Sequence, residues 1–454
     1  MRFGCAVSLS LFAACHAAPV AHLEPPAGVT GSIVLQPNAK GTLMVTWLTT
    51  AELAQLGSGD PPMMLIRDLV TRSIVVGDVA SHPTMTFTIH PSPGKIVMMA
   101  TVDSGHAGIA SLLGDGEGTL HGLSTPIEFA NATVDGGQIK LGSDRQPPQR
   151  EHCKGDRLTL EHLDAPEVAG TVGNPTTRRA CVRLPLHYAD HPERHYPVVY
   201  GLPGLLSGDD AIAEYKLDLD EAILVAVDTS TKTGSTYLVD SPTSGNWETF
   251  FTKTLVPYID AHYRTLPTSS ARGLVGHSTG GFNAVSLGLR HPELFGAIGA
   301  ASPDGLDFAV WFGSPRPWIR EFARVERGLG GAGQFISYAA DWSPTASGYD
   351  WPLDSAGVIV DSVMKRWLAQ SPATWLKDPK RVASFKKFSG KILLAVGDTD
   401  EFDLKEPTEA FSHELTAAGI ENQLLVAHGG HGSTEGEPMQ AISKFLLEQL
   451  DHAH

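Results

Sequence analysis

The sequence predicts an α/β fold, with a mostly parallel sheet flanked by helices, preceded by a small all-β sandwich domain. The first observation is length, because 454 residues are too many for one ordinary domain. The second is a change of pattern. Short apolar runs separated by Gly, Pro, Asn and Asp fill residues 28–141, whereas strand and helix candidates alternate after Tyr196. The third is the pentapeptide Gly276-His277-Ser278-Thr279-Gly280, which stands between an apolar strand and a helix of small and apolar residues.

Residues 1–18 predict a secretory signal peptide. A basic start is followed by an apolar run that is too short for a permanent membrane anchor. Two cleavage sites compete. Leu11-Phe12-Ala13-Ala14-Cys15 resembles a bacterial lipobox and would leave Cys15 lipidated, whereas ordinary signal peptidase would cut after Ala17 or Ala18. Both predict an extracytoplasmic protein, which is periplasmic, secreted or lipid-anchored.

The charge balance argues against polyanionic partners. The formal net charge is -16, and the chain has no dense run of Lys and Arg. Nucleic acid and anionic membrane surfaces are therefore not expected to bind. The sequence does not indicate an oligomeric state.

Residues 24–142 predict a β-sandwich of immunoglobulin-like type. Thr84–Ile89 alternates apolar and polar residues, as a half-buried strand does. The strand candidates are the runs 32–35, 43–48, 63–66, 74–79, 84–89 and 96–102. The titratable residues of this region do not converge on one place in the pattern, so we expect a helper or spacer role. Residues 143–156 predict a linker, which is polar and carries Pro147 and Pro148.

Cys153 and Cys181 are the two cysteines that remain outside the leader. In an oxidising compartment such a pair favours a disulfide, and two separate buried thiols are the alternative. If the runs 157–163 and 180–186 pair as antiparallel strands, the two cysteines come close together near one end of the pair.

Residues 157–454 predict the α/β domain. The strand candidates are 197–200, 223–227, 274–275, 297–301, 392–396 and 423–427, and the helix candidates are 247–262, 409–418 and a last helix from about residue 437. The segment 308–387 interrupts the alternation and is rich in Trp. We expect its helices and loops to lie over the carboxyl edge of the sheet, where such folds bind ligands.

Ser278 is the candidate nucleophile. In the pattern Gly-x-Ser-x-Gly the serine occupies a sharp turn from strand to helix, where the flanking positions have no room for a side chain. Its hydroxyl would be presented at a helix N-terminus, where backbone N–H groups can stabilise an oxyanion.

A serine hydroxyl needs a general base, and the base needs an orienting acid, in the chain order Ser, acid, His. Asp400 follows a late strand that ends at Gly397 and is the preferred acid, with Asp398 as the alternative. His431 follows the last strand and two glycines and is the preferred base, whereas His428 is closer to the strand and is expected to be structural.

The oxyanion hole requires two backbone N–H donors. We expect them to be Thr279, which follows the nucleophile, and Leu202, which lies in the early loop and precedes a proline that has no N–H. Asn246 and Asp304 could touch substrate, but structural hydrogen bonding is the simpler expectation for both.

Residues from about 157 to 450 resemble the esterase D-type branch of the α/β-hydrolases, which includes S-formylglutathione hydrolases, enterochelin and feruloyl esterases, and secreted mycolyltransferases. The stretches that carry the resemblance are 196–202, 241–250, 276–282, 397–402 and Gly430-His431. One departure is Tyr200-Gly201, where many members have His-Gly, so the floor of the pocket is expected to differ while the backbone donor remains. The N-terminal β-domain lies outside the resemblance.

The resemblance and the candidate triad together imply an exported serine esterase. It would hydrolyse small-molecule or polymer-borne carboxylic esters through an acyl-enzyme, with no metal or organic cofactor. One alternative is an acyltransferase that passes the acyl group to an alcohol or sugar. A second alternative is a catalytically silent surface-binding protein that uses the β-domain.

Overall fold

The computed structural model describes residues 27–35, 39–56, 63–80, 82, 84–104, 108–109, 119–130, 132–142, 153–209, 217–313 and 316–452. The predicted signal peptide, with Cys15, lies outside the described residues, as does most of the predicted linker. Among the described residues, no helix combines the length and apolar character that crossing a membrane requires.

The N-terminal domain contains two β-sheets that share one hydrophobic core. Its strands are β1 (Val29–Val34), β2 (Thr42–Thr49), β3 (Ile74–Asp78), β4 (Thr84–Ile89), β5 (Gly94–Asp103), β6 (Leu120–Leu123), β7 (Ile127–Phe129) and β8 (Val134–Lys140). The first sheet has the order β4-β1-β8, and the second has the order β3-β2-β5-β6, with β7 also paired to β5. Side chains from both sheets, including Ile33, Phe87, Trp47 and Met98, fill the layer between them. This layering is the arrangement expected of a β-sandwich.

The N-terminal domain also carries two helices that the sequence prediction did not include. Helix α1 (Thr50–Leu56) follows β2 directly, and α2 (Met63–Arg72) occupies the run 63–66 that is predicted as a strand. That strand prediction was wrong because a four-residue apolar run does not distinguish strand from helix. The continuation through Leu69 and Val70 places further apolar residues at helical spacing, and both are buried.

The second domain is built on one eight-stranded sheet. Its strands are β9 (Leu158–Asp164), β10 (Thr177–Arg183), β11 (Val198–Leu202), β12 (Ile223–Val227), β13 (Arg272–His277), β14 (Ala297–Ala301), β15 (Ile392–Gly397) and β16 (Gln423–Ala427). The order across the sheet is β16-β15-β14-β13-β11-β12-β10-β9. Strands from β16 to β12 run parallel, and β10 and β9 complete the edge as antiparallel strands. The predicted α/β fold with a mostly parallel sheet is confirmed.

Helices cover both faces of this sheet. They are α3 (Trp247–Thr249), α4 (Val256–His262), α5 (Thr279–Arg290), α6 (Phe308–Gly313), α7 (Pro317–Leu329), α8 (Gln334–Trp342), α9 (Asp361–Leu368), α10 (Pro372–Trp375), α11 (Pro379–Phe385), α12 (Lys405–Ala417) and α13 (Glu437–Gln449). A π-helical segment, Phe250–Leu255, joins α3 to α4 and completes the helix predicted at 247–262. Successive residues of β11 pack on opposite sides: Tyr200 shares a core with Phe282 of α5, whereas Val199 shares a core with Ile442 of α13. The alternation explains why the central strands read as continuous apolar runs.

The Trp-rich segment forms helices α6 to α11, as the sequence predicts for 308–387. Most of its aromatic side chains pack on one another, and this cluster includes Phe308, Phe335, Tyr338, Trp342 and Trp367. Short two-residue ribbons pair Ser230–Thr231 with Gly234–Ser235, Asp240–Ser241 with Gly245–Asn246, and Pro344–Thr345 with Gly348–Tyr349.

Cys153 and Cys181 form the predicted disulfide, with their Cα atoms 5.4 Å apart. Cys181 lies in β10, which pairs antiparallel with β9, so the expected strand pairing is also present. The bond attaches the first described residue of the second domain to its sheet.

Candidate active site

Ser278 lies at the turn between β13 and α5, and its backbone is strained. Its φ of 57° and ψ of -124° are values that residues with a side chain rarely adopt. A Cβ added at Gly276 would lie 2.3 Å from the carbonyl carbon of Gly280, and one added at Gly280 would lie 1.8 Å from the carbonyl oxygen of Leu202. The two glycines are therefore required by contact distance, which is the physical basis of the motif.

The base and the acid form a buried pair. His431 begins a 3₁₀ turn, His431–Glu435, after β16, and Asp400 lies in the loop after β15. The Nδ1 atom of His431 and the Oδ2 atom of Asp400 are 2.8 Å apart. Their side chains are only 3% and 0% exposed. A hydrogen bond to a carboxylate that is shielded from water in this way is stronger than one at the surface.

The two partners shift each other's pKa in opposite directions. Burial alone would lower the pKa of His431, but the charge of Asp400 and its hydrogen bond outweigh burial and raise the pKa above the usual value. Burial would raise the pKa of Asp400, but His431 and the Phe402 amide, which donates to Oδ1 at 2.9 Å, bring the pKa below the usual value. Asp400 is thus ionised at neutral pH and holds the Nδ1–H tautomer of His431.

Asp398 and His428, the alternatives for these roles, pair with each other instead. The His428 Nδ1 atom lies 3.0 Å from the Asp398 Oδ2 atom, and the His428 side chain is 95% exposed. The structure therefore sorts the four side chains into one buried pair and one surface pair. It brings Asp400 to His431 and leaves the other two at the surface.

His277, the residue before the nucleophile, contacts the base. Its ring lies 4.6 Å from the His431 ring, centroid to centroid, and its Nε2–H donates to the His431 carbonyl oxygen at 3.1 Å. Burial lowers the pKa of His277 to about 3, so its imidazole is neutral. The elbow that carries Ser278 is in this way attached to the turn that carries the base.

The Ser278 hydroxyl donates to a second carboxylate, Asp304, with Oγ 3.4 Å from Oδ1. Asp304 follows β14, so it reaches the same carboxyl edge of the sheet as the nucleophile and the acid. The Asp304 amide also donates to the Ser278 carbonyl oxygen at 3.2 Å. The expectation that Asp304 is only structural did not anticipate its contact with the candidate nucleophile.

The other carboxylate oxygen of Asp304, Oδ2, accepts four hydrogen bonds. The donors are Gln334 Nε2 at 2.6 Å, Tyr237 OH at 2.8 Å, Thr279 Oγ1 at 2.9 Å and Tyr338 OH at 3.1 Å. Burial, together with the charge of Asp304, raises the pKa of both tyrosines far above the usual value, so they remain donors. Four donors fix the Asp304 carboxylate in place, and Oδ1 is thereby held toward Ser278.

The two expected oxyanion-hole residues lie beside the elbow. Thr279 is the first residue of α5, and Leu202 is the last residue of β11. The carbonyl oxygen of Leu202 lies close to Gly280. A Cβ added at Gly204, two residues later, would lie 3.7 Å from the Ser278 Cβ atom. The early loop and the helix N-terminus therefore face the same space next to the nucleophile. Asn246, by contrast, is exposed at the end of a two-residue ribbon.

Residue placement offers no support for a metal centre in the part of the chain that the structure describes. No group of three or more His, Cys, Asp or Glu side chains in those residues is arranged to hold a metal ion. The chemistry available at the site is that of a hydroxyl, an imidazole and carboxylates.

The family described as "Putative esterase" matches residues 174–435, which is more than half of the chain. No curated protein matches the chain in a sequence search.

Three similar solved structures have low sequence identity. An S-formylglutathione hydrolase from Agrobacterium tumefaciens is 16% identical, with 66% of this chain and 98% of that chain covered and a TM-score of 0.42. MPT51 from Mycobacterium tuberculosis is 13% identical, with 65% and 100% covered and a TM-score of 0.45. A ferulic acid esterase is 20% identical, with 63% and 98% covered and a TM-score of 0.43. The family match, together with the mostly parallel sheet, identifies the chain as a member of the putative esterase family of esterase D-type α/β-hydrolases, and hence as a carboxylic ester hydrolase.

Proposed function

We propose that this protein is an exported serine esterase that acts through Ser278, His431 and Asp400. In the first step His431 Nε2 takes the proton of the Ser278 hydroxyl while Oγ attacks the ester carbonyl carbon. The N–H groups of Thr279 and Leu202 bind the oxyanion that forms. Collapse of the tetrahedral species breaks the ester C–O bond, and the imidazolium returns its proton to the leaving alkoxide.

The second step releases the acyl group. A water molecule gives its proton to His431 and attacks the acyl-enzyme carbonyl, and the carboxylic acid leaves as Ser278 recovers its proton. Asp400 remains ionised throughout, orients the imidazole and stabilises the imidazolium. Each step is easier than direct attack of water on the ester, so the mechanism needs no metal or organic cofactor.

The observation that carries the proposal is the buried Asp400–His431 pair beside a strained serine elbow. Burial of two titratable side chains costs desolvation energy, and here they are joined by a 2.8 Å hydrogen bond. Buried titratable pairs of this kind are concentrated at functional sites. The elbow supports the same conclusion, because its strained turn holds Ser278 at the carboxyl edge of the sheet, where the loops that carry Asp400 and His431 also begin.

The proposed location outside the cytoplasm is supported by the Cys153–Cys181 disulfide, which persists in oxidising compartments. The predicted leader agrees with this. Mass spectrometry of the mature protein tests the point. Cleavage after Ala17 or Ala18 indicates soluble export, and a lipidated N-terminal Cys15 indicates an anchored protein. An intact leader on cytoplasmic protein would contradict export.

The catalytic proposal is tested with p-nitrophenyl esters of increasing chain length and with aryl esters. Ser278→Ala should lose turnover by about 10⁴-fold or more, because the nucleophile and base act as one unit. Ser347→Ala removes an exposed serine and serves as the matched control. A fluorophosphonate should label Ser278 in wild-type protein and nothing in Ser278→Ala.

Three results would change the proposal. Esterase activity that survives in Ser278→Ala excludes this mechanism. New esters formed from added alcohols or sugars, at the expense of free acid, identify an acyltransferase. Wild-type protein that hydrolyses no ester in the screen and resists the fluorophosphonate points to the non-catalytic binding role.

A further inference from the structure

The N-terminal domain packs directly on the segment that covers the catalytic sheet. Leu65 and Leu69 of α2 are buried in the same hydrophobic cluster as Ile319 and Phe322 of α7. Backbone contacts add to this interface, since the amide of Ile109 donates to the Ala332 carbonyl at 3.1 Å. The domain is therefore not a spacer held away from the active site.

Arg67 extends from the same helix to the loop that carries the catalytic acid. Its Nη1 atom donates a hydrogen bond to the carbonyl oxygen of Glu401, the residue after Asp400. Its guanidinium also lies over the Trp318 ring, 5.9 Å from the centroid. The Arg67 side chain is only 21% exposed, so both contacts are partly shielded from water.

Glu401 connects this contact to the base. Its carboxylate Oε2 accepts from the His431 amide at 2.6 Å. A Cβ added at Gly430 would lie 2.3 Å from the Oε1 atom of Glu401. The backbone of Glu401 is thus held by the N-terminal domain, and its side chain holds the turn on which His431 sits.

The two following residues of the loop are fixed by the aromatic side chains of α6 and α7. Trp311 Nε1 donates to the Phe402 carbonyl at 2.9 Å, and Trp318 Nε1 donates to the Asp403 carboxylate at 2.7 Å. The Phe402 ring lies 5.0 Å from the His431 ring, centroid to centroid. Because Trp318 lies under Arg67, the Arg67 side chain contacts residue 401 directly and residue 403 through Trp318.

We propose that Arg67 is a positioning residue for the Asp400–His431 pair, and that the N-terminal domain thereby completes the active site of the second domain. The inference rests on the proposed function of Ser278, Asp400 and His431. Arg67 contacts the backbone beside Asp400 and not the side chains of Ser278, His431 or Asp400. It acts by holding the Glu401 backbone, which sets where Asp400 and the His431 turn lie relative to each other. Misplacing catalytic groups by about 1 Å can cost up to about 10²-fold in rate.

The experiment compares three variants of the full-length protein. Arg67→Met removes the donors and the charge, and Arg67→Lys keeps a charge and one donor that can reach a carbonyl. Arg72→Met is the matched control, because Arg72 lies on the same helix but pairs with Glu52 at 2.9 Å and covers Trp47. We expect kcat to fall about tenfold in Arg67→Met with KM changed less than about twofold. Arg67→Lys should recover most of kcat, and Arg72→Met should match wild type.

A second measurement needs no substrate. The His431 Nδ1–H proton, shared with Asp400, should give a low-field proton resonance in the free enzyme. We expect this resonance to shift or broaden in Arg67→Met and to stay unchanged in Arg72→Met. Should Arg67→Met fail to fold, Arg67→Gln stays polar but is too short for both contacts, and the same loss of kcat is expected of it.

Two results would overturn the inference. One is a folded Arg67→Met protein with wild-type kcat and an unshifted His431 proton, even if its melting temperature is lower. The other is an equal loss of kcat in Arg67→Met and Arg72→Met, which would indicate a general effect of the interface. Failure of the proposed function is separate, because it would show as activity that remains in Ser278→Ala.

Discussion

Replacing Asp400 by Asn should remove most of the turnover. The hydrogen-bonding atoms of Asp400 and His431 are 2.8 Å apart. Their charge centres are then about 4 Å apart, which at an effective dielectric constant of 20 corresponds to about 4 kcal/mol of attraction for the imidazolium. Loss of that attraction from the transition state is about 10³-fold in rate. The Asn amide can also donate to Nδ1 and hold the wrong tautomer, so we expect a total loss on the order of 10³–10⁴-fold.

The pH profile of Asp400→Asn provides an independent check. The base must be neutral in the free enzyme, and Asp400 raises the pKa of His431 above its usual value. The acid limb of kcat/KM in wild-type enzyme therefore lies at a higher pH than an unperturbed histidine would give. Removing the carboxylate lowers that pKa, so the limb should move to lower pH while the plateau falls. Residual hydrolysis of an activated aryl ester, measured from pH 4 to 9, gives both quantities.

The matched control is Asp398→Asn, because Asp398 is a neighbouring carboxylate whose partner is the exposed His428. It should keep wild-type rate and pH profile. If Asp398→Asn is the damaging change and Asp400→Asn is nearly neutral, the acid is assigned to the wrong residue. If the limb moves to higher pH in Asp400→Asn, the electrostatic reasoning for the pair is refuted.

Three further predictions concern Asp304, the disulfide and the serine elbow. Asp304→Asn should move the acid limb to lower pH by less than Asp400→Asn does, because Asp304 is a weaker contributor to the raised pKa of His431; an unchanged limb would contradict this. Replacing Cys153 and Cys181 by Ser should lower the free energy of unfolding by about 3–4 kcal/mol, because the bond closes a loop with a sequence separation of 28. Urea unfolding under oxidising conditions measures the loss, and a loss below about 1 kcal/mol would contradict a stabilising role for the disulfide. Gly276→Ala should yield inactive or insoluble protein, because the new Cβ meets backbone at 2.3 Å; a soluble variant with normal fluorophosphonate labelling would show that the elbow tolerates it.

The candidate triad could be predicted from sequence because each member is fixed by local chemistry. Ser278 lies in a Gly-x-Ser-x-Gly pattern, which indicates a sharp turn from strand to helix. Asp400 and His431 each follow a recognisable strand. Neighbouring carboxylates in one loop are harder to tell apart by local chemistry. Asp398 and Asp400 differ by two positions, and only the folded loop shows which carboxylate turns inward toward His431.

Contacts between distant parts of the chain could not be predicted in this way. Arg67 and Glu401 are 334 positions apart, and nothing in either local pattern indicates the other. Asp304 offered a partial signal, since it closely follows a buried parallel strand at the edge where ligands bind. The strand prediction at residues 63–66 fails for a different reason, because a run of four apolar residues is too short to show a helical period. The contact of this helix with α7 of the other domain is also not visible in the sequence.

The disulfide has a consequence for how firmly the two domains stay together. Because Cys153 is bonded to β10, the chain between the last described residue of the first domain and this bond comprises only residues 143–152. A chain of that length reaches at most roughly 35–40 Å, whatever its conformation. So short a tether keeps the effective local concentration of one domain around the other in the millimolar range. An interface too weak to hold two separate proteins together can therefore remain occupied here, and reduction of this one bond would lengthen the tether by the residues that precede β9.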